Sequence, residues 1–105
     1  GADIEAFSTM PNLDKLEIGY NDNLSNKDLE PLTKLKKLHS LELQGCLKLT
    51  AEIIPTMTRI KGLKRLTLSL DRWSPRDQRL LQQALPGCAV RNYDDKSEAK
   101  TKFEE

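Results

Sequence analysis

The side chains able to do chemistry are few, and they stand apart. The chain of 105 residues holds one histidine, His39, and two cysteines, Cys46 and Cys88, and among its eight glutamates Glu17 and Glu42 stand 25 residues apart. A catalytic histidine needs a nucleophile within hydrogen-bond reach and donors for the developing oxyanion. No motif places either near His39, so catalysis there is not expected. Paired carboxylates do acid–base work only in an enclosed site that drives their proton affinities apart. Nothing in the pattern encloses Glu17 and Glu42, so solvated carboxylates on neighbouring strands are expected. Two cysteines in unlike contexts make no disulfide framework and too few ligands for structural zinc. They suit a reducing compartment such as the cytoplasm. Glycine-rich phosphate loops and metal-ligand clusters are missing from the sequence as well. No catalytic residue, metal or cofactor is expected, and the chain reads as a non-enzyme.

Charge is the other source of chemistry. The net charge of +1 excludes bulk attraction to nucleic acid or to a membrane surface. Its distribution is uneven: residues 1–32 carry −5, residues 33–65 carry +6, residues 66–93 carry +2 and residues 94–105 carry −2. Within the basic stretch, Lys34, Lys36 and Lys37 stand at places equivalent to Arg59 and Lys61, with Lys64 and Arg65 close behind. Stacked neighbours would gather them into a basic edge that could meet RNA phosphate or an acidic partner. Cations also collect at helix C-termini because the free carbonyls and the macrodipole favour them there. That simpler account is preferred, since no aromatics are interleaved for base stacking.

The elements that position these groups follow from a repeat. Leu13-x-x-Leu16-x-Ile18, Leu38-x-x-Leu41-x-Leu43 and Leu63-x-x-Leu66-x-Leu68 recur every 25 residues. The alternating second half of each predicts a short strand with one buried face. Asn21, Cys46 and Asp71 form a further column at the same spacing. Ile4, Phe7 and Met10 map onto Leu29, Leu32 and Leu35, then onto Ile54, Met57 and Ile60. Their spacing of three predicts one apolar face of a short α- or 3₁₀-helix. The last unit drifts by one residue and offers Leu80, Leu81, Ala84 and Leu85 instead.

Helix boundaries are marked too. Ser25, Thr50 and Ser74 are predicted N-caps, with Asp28 and Asp77 placed as capping-box partners and Pro75 at the first helical position. Leu24 with Leu29, and Leu49 with Ile54, are spaced as hydrophobic staples. Asn12, Gly62 and Gly87 share a column at the helix ends, where a left-handed C-terminal cap is expected. Trp73 falls in the Leu24/Leu49 column and is read as core.

These columns resemble the leucine-rich-repeat family. The unit Leu38-x-x-Leu41-x-Leu43-x-x-Cys46-x-x-Leu49-Thr50 is most similar to the cysteine-containing subtype found in F-box leucine-rich-repeat proteins. The resemblance spans roughly residues 4–93. It implies an α/β solenoid, with short parallel strands on a concave face and helices on the convex face. One strand with one helix cannot bury its apolar face alone, so neighbouring units must stack. The expected layout is a partial repeat at 1–12, repeats at 13–37, 38–62 and 63–87, a closing half-repeat at 88–93 and a charged, disordered tail at 94–105. Upstream repeats or a partner are expected to cover the N-terminal end. At a strand spacing of ~4.8 Å, Cys46 and Cys88 are not expected to bridge.

Function is then expected at the outward strand positions. These are Lys15/Ser40/Arg65, Glu17/Glu42/Thr67 and Gly19/Gln44/Ser69, with Asp14/His39/Lys64 before them and Tyr20/Gly45/Leu70 at the strand exits. A protein partner is expected on Lys15, Glu17, Tyr20, Ser40, Glu42, Gln44, Arg65 and Thr67, with Tyr20 as anchor. No run reaches the ~18 apolar residues of a membrane span. The resemblance implies a non-enzymatic recognition scaffold within a larger assembly. Two other readings are an assembly subunit, as in the mitochondrial ATP synthase factor B family, and RNA binding along the basic edge.

Overall fold

The computed structural model describes residues 9, 10, 12–19 and 24–93. The helical face expected at Ile4 and Phe7, the Asn21 position and the charged tail lie outside the described residues. Four strands form one sheet in chain order: β1 (Lys15–Gly19), β2 (Ser40–Gln44), β3 (Arg65–Leu68) and β4 (Ala89–Asn92). All three pairings are parallel. Alternation decides which side is buried: Leu16, Leu41, Leu66 and Val90 lie in one register row and all point into the core. Ile18 is only half-buried, because β1 has a strand neighbour on one side only among the described residues.

The connections are helical: a 3₁₀ segment at Asn26–Lys34, a 3₁₀ turn at Ala51–Ile53 leading into α1 (Ile54–Thr58), and α2 (Pro75–Ala84). They pack against one another in sequence order and close the inner face of the sheet. Their winding decides which residue faces inward. Pro31 lies inside the first segment and lacks the N–H that an α-ladder needs. Three residues per turn then bring Leu29, Leu32 and Leu35 onto one line, all fully buried. In the next unit the chain switches to α winding, and the inward set becomes Ile53, Met57 and Ile60. Ile54, the expected member, is half-buried. Along α2 the inward pair is Leu81 and Leu85, so Leu80 turns outward at 42% exposure. Met10, expected on the same face, is also exposed.

A turn closed by N–H to the carbonyl three residues back precedes every strand: Leu13 to Met10, Leu38 to Leu35, Leu63 to Ile60 and Cys88 to Leu85. These turns keep the 25-residue period, yet β3 and β4 pair at an offset of 24, with Leu66 opposite Val90. One residue is lost between Cys88 and Val90, where earlier units have two residues between their apolar positions. Another is lost after β3: the Cys46–Leu49 turn recurs as Leu70–Trp73. Leu70 therefore takes the place of Cys46 and is fully buried, and Asp71, expected in that column, is exposed. Trp73 is buried as expected, and its indole Nε1 donates to the Leu49 carbonyl at 3.1 Å.

All three residues stand at N-cap positions, Thr50 and Ser74 capping through the side chain as predicted and Ser25 through its bonds to Asp28. The Ser25 N–H and hydroxyl both donate to Asp28 Oδ2, at 2.9 and 3.1 Å. Thr50 Oγ1 accepts from the Glu52 N–H, and Ser74 Oγ from the Asp77 N–H. The glycine caps do not form. Among the described residues the one glycine at positive φ is Gly45 (65°), at the exit of β2. Gly62 has a different reason: a Cβ there would come within 3.2 Å of the His39 ring and 3.4 Å of the Lys36 and Leu38 carbonyls. At Gly87 a Cβ would meet nothing within 4 Å.

Two outcomes follow. In urea unfolding, Gly45→Ala should lose about 1–2 kcal/mol through its left-handed backbone, whereas Gly87→Ala should change stability by less than about 0.5 kcal/mol; a left-handed cap at Gly87 would reverse that order. The Ser25 N–H, followed by its hydroxyl, holds the Asp28 carboxyl below its ordinary value of 3.8. A lowered native pKa stabilises above the ordinary value and ceases to as pH falls through the native one. Asp28→Ala should therefore cost about 0.5 kcal/mol at pH 7, and the gap from wild type should close in acid titrations below the lowered pKa.

Candidate interaction surface

Residues that alternate with the core leucines project from the opposite face of the sheet. Register aligns them in two rows, Lys15–Ser40–Arg65–Ala89 and Glu17–Glu42–Thr67–Arg91. Before them run Asp14, His39 and Lys64, all exposed. This leading row is held by backbone: the Asp14 carbonyl accepts from His39 and Ser40, the His39 carbonyl from Lys64 and Arg65, and the Lys64 carbonyl from Ala89. Short side chains at Ser40, Thr67 and Ala89 sit among longer ones, leaving a depression of about 500 Å³ bounded by Lys15, Glu42, Arg65 and Arg91. A second hollow of about 390 Å³ adjoins it, walled by Asp14, His39 and Lys64.

Electrostatics divide this open face. Glu17 and Glu42 are cross-strand partners, as their spacing predicts. Glu17 pairs with Lys15 at 3.1 Å, and Glu42 accepts from the Gln44 side-chain amide. Both members of the Lys15–Glu17 pair are half-exposed, so the pair adds little stability. Its effect is to neutralise Lys15. No hydrogen bond or ion pair engages the side chains of Lys64 or Arg65 among the described residues.

The predicted surface residues therefore fall together, with exceptions. Lys15, Glu17, Ser40, Glu42, Arg65 and Thr67 share the two rows, and Gln44 follows on β2. Tyr20, the expected anchor, lies outside the described residues. Ser69 is not outward: it is buried, and its hydroxyl accepts from the Gly45 N–H at 2.9 Å. Leu70 is not at an exposed margin, because the shortened exit of β3 turns it into the core. Ala89 and Arg91 belong to the face and were not anticipated. The available signal was the shortened Cys88-x-Val90 spacing, which brings Ala89 to Arg65 and Arg91 to Thr67.

The basic edge is partly spoken for. Arg59 pairs with Glu30, which also accepts from Thr56, and Lys37 donates to Asn12 of the preceding unit at 3.1 Å. Lys34, Lys36 and Lys61 are exposed, and Lys61 borders a small recess beside Leu85 and Cys88.

Asn92 was not anticipated either. It lies opposite Leu68, points inward and is buried; its amide oxygen accepts from the Leu70 N–H and its amide nitrogen donates to Asp71. Both cysteines are free and buried. Burial pushes the Cys88 thiol up to about 11. Among the described residues no three His, Cys, Asp or Glu stand close enough to share a metal, and no helix is long and apolar enough to cross a membrane. No family model and no curated protein matches the sequence.

The thiols give a direct check. With its pKa near 11, Cys88 is about one part in a thousand thiolate at pH 8. Native protein should leave both Cys46 and Cys88 unmodified by a chromogenic disulfide reagent over minutes, and two thiols should titrate at once in 6 M guanidinium. Rapid native labelling of either would contradict the buried placement.

Proposed function

We propose that this chain is a short leucine-rich-repeat solenoid that acts as a non-enzymatic scaffold, binding a protein partner through the concave face of its sheet. The observation that carries the reading is the open face itself. Four in-register strands present aligned rows of polar and charged side chains, with unengaged cations, while the helical segments bury the other face. A leucine-rich repeat supplies that division of faces, and the 25-residue spacing of the paired strands supports the assignment. The rows are fixed by backbone pairing before any partner arrives. Docking on such a preorganised surface loses little conformational entropy. The basic edge supports RNA binding less well, because Arg59 and Lys37 already hold Glu30 and Asn12.

The test compares immobilised wild type with Lys15→Glu/Arg65→Glu on the open face and Lys27→Glu/Arg76→Glu on the helical side, each variant first matched for thermal unfolding. A protein retained by wild type and the helical-side variant should be reduced at least ten-fold on the open-face variant. Equal retention by all three would remove the open face as the binding surface.

A further inference from the structure

The open face is electrically two-sided, and this gives its partner a definite charge order. On the β1–β2 half, Asp14, Glu17 and Glu42 face a single lysine, Lys15, which Glu17 already holds. On the β3–β4 half, Lys64, Arg65 and Arg91 stand beside Thr67 and Ala89, and none of these β3 and β4 positions is a carboxylate. The two halves extend over about 14 Å at ~4.8 Å per strand. The screening length at physiological salt is only ~8 Å. A bound segment therefore feels each half separately, and the order of its charges matters more than their sum.

The spacing of the rows selects the conformation of that segment. A sheet face, unlike an edge, offers a partner side chains and no backbone ladder, so contacts must recur with the strands. One helical turn advances 5.4 Å, and after three strand steps a crossing helix is out of step by about 2 Å. In an extended chain, side chains on one side recur every ~6.6–6.8 Å, about 6 Å out of step over the same distance. The depression of about 500 Å³ over Ser40, Thr67 and Ala89, rimmed by Lys15, Arg65 and Arg91, gives a helix ridge somewhere to sit.

Building on the open-face reading, we propose that the partner presents an α-helix of about three turns, basic where it crosses β1 and β2 and acidic where it crosses β3 and β4. Glutamates at its N-terminal end and lysines at its C-terminal end would also suit its own macrodipole.

The test uses three synthetic alanine-based peptides of equal length and equal charge content, titrated into the isotope-labelled full chain at low salt. The first has glutamates at its N-terminal end and lysines at its C-terminal end, the second alternates the same charges, and the third is the first with a central alanine replaced by proline. The segregated helix should bind at least ten-fold tighter than the other two, with amide shifts concentrated on β1 to β4. A spin label at its lysine end should broaden Glu17 and Glu42 more than Arg65 and Arg91. Arg65→Glu should abolish the preference for segregated charge. Equal affinity of the segregated and alternating peptides, or of the proline peptide and its parent, would overturn the proposal, as would binding that leaves the sheet residues unshifted. The open-face reading is judged separately, by retention of the natural partner on Lys15→Glu/Arg65→Glu: its loss alongside peptide indifference would sink the helix alone.

Discussion

The structure depends on one constraint: no strand-and-helix unit of this chain can bury its own apolar side, so each must borrow a neighbour's. The borrowing is visible in the row Leu16, Leu41, Leu66 and Val90, where every strand shields the next. Full burial of a leucine is worth about 1.5–3 kcal/mol, and slipping the register by one residue would turn a whole row outward. That penalty fixes the alignment of the strands, and the alignment fixes everything on the other face. The polar rows are as regular as the leucines beneath them because both ride on the same ladder.

Lateral polar bonds reinforce the stacking on the helical side. Asn26 and Thr50 exchange two hydrogen bonds, with the Asn26 side-chain amide donating to Thr50 Oγ1 and the Thr50 N–H donating to Asn26 Oδ1. Glu30 reaches both Arg59 and Thr56. These contacts join residues some 24–29 positions apart, so they report on unit-to-unit packing rather than on any one helix. Individually such exposed bonds contribute little. Collectively they set how neighbouring helical segments align.

Much of this was legible in the sequence, and the failures have physical causes. Strand rows, N-caps and the core place of Trp73 follow from periodicity and local hydrogen-bonding chemistry, which act over a few residues. Helix winding was not legible: the spacing of three between the buried Leu29 and Leu32 of the 3₁₀ segment widens to four between Ile53 and Met57 and between Leu81 and Leu85, where the chain takes up α winding. The glycine column misled because a glycine can serve either a left-handed turn or a close approach. Gly62 leaves room for His39 and Gly45 holds the turn, a division that sequence spacing does not separate. On the open face, six of the eight expected residues share two rows, and Gln44 adjoins them. Leu70 and Ser69 went astray because a residue is missing at the exit of β3. Arg91 was overlooked because a second residue is missing between Cys88 and Val90.

Asn92 carries a consequence for adding a strand beyond β4. It occupies a place where the preceding strand has Leu68, and its amide is already committed to Leu70 and Asp71. A coil grafted beyond β4 would have to pack its own leucine against that amide, and desolvating a polar group without a new bond is unfavourable. An engineer extending the molecule would need to recast this position first, and with it the loop that the asparagine pins. The same side chain that secures the β3 exit thus sets the grain on which any further growth would have to be built.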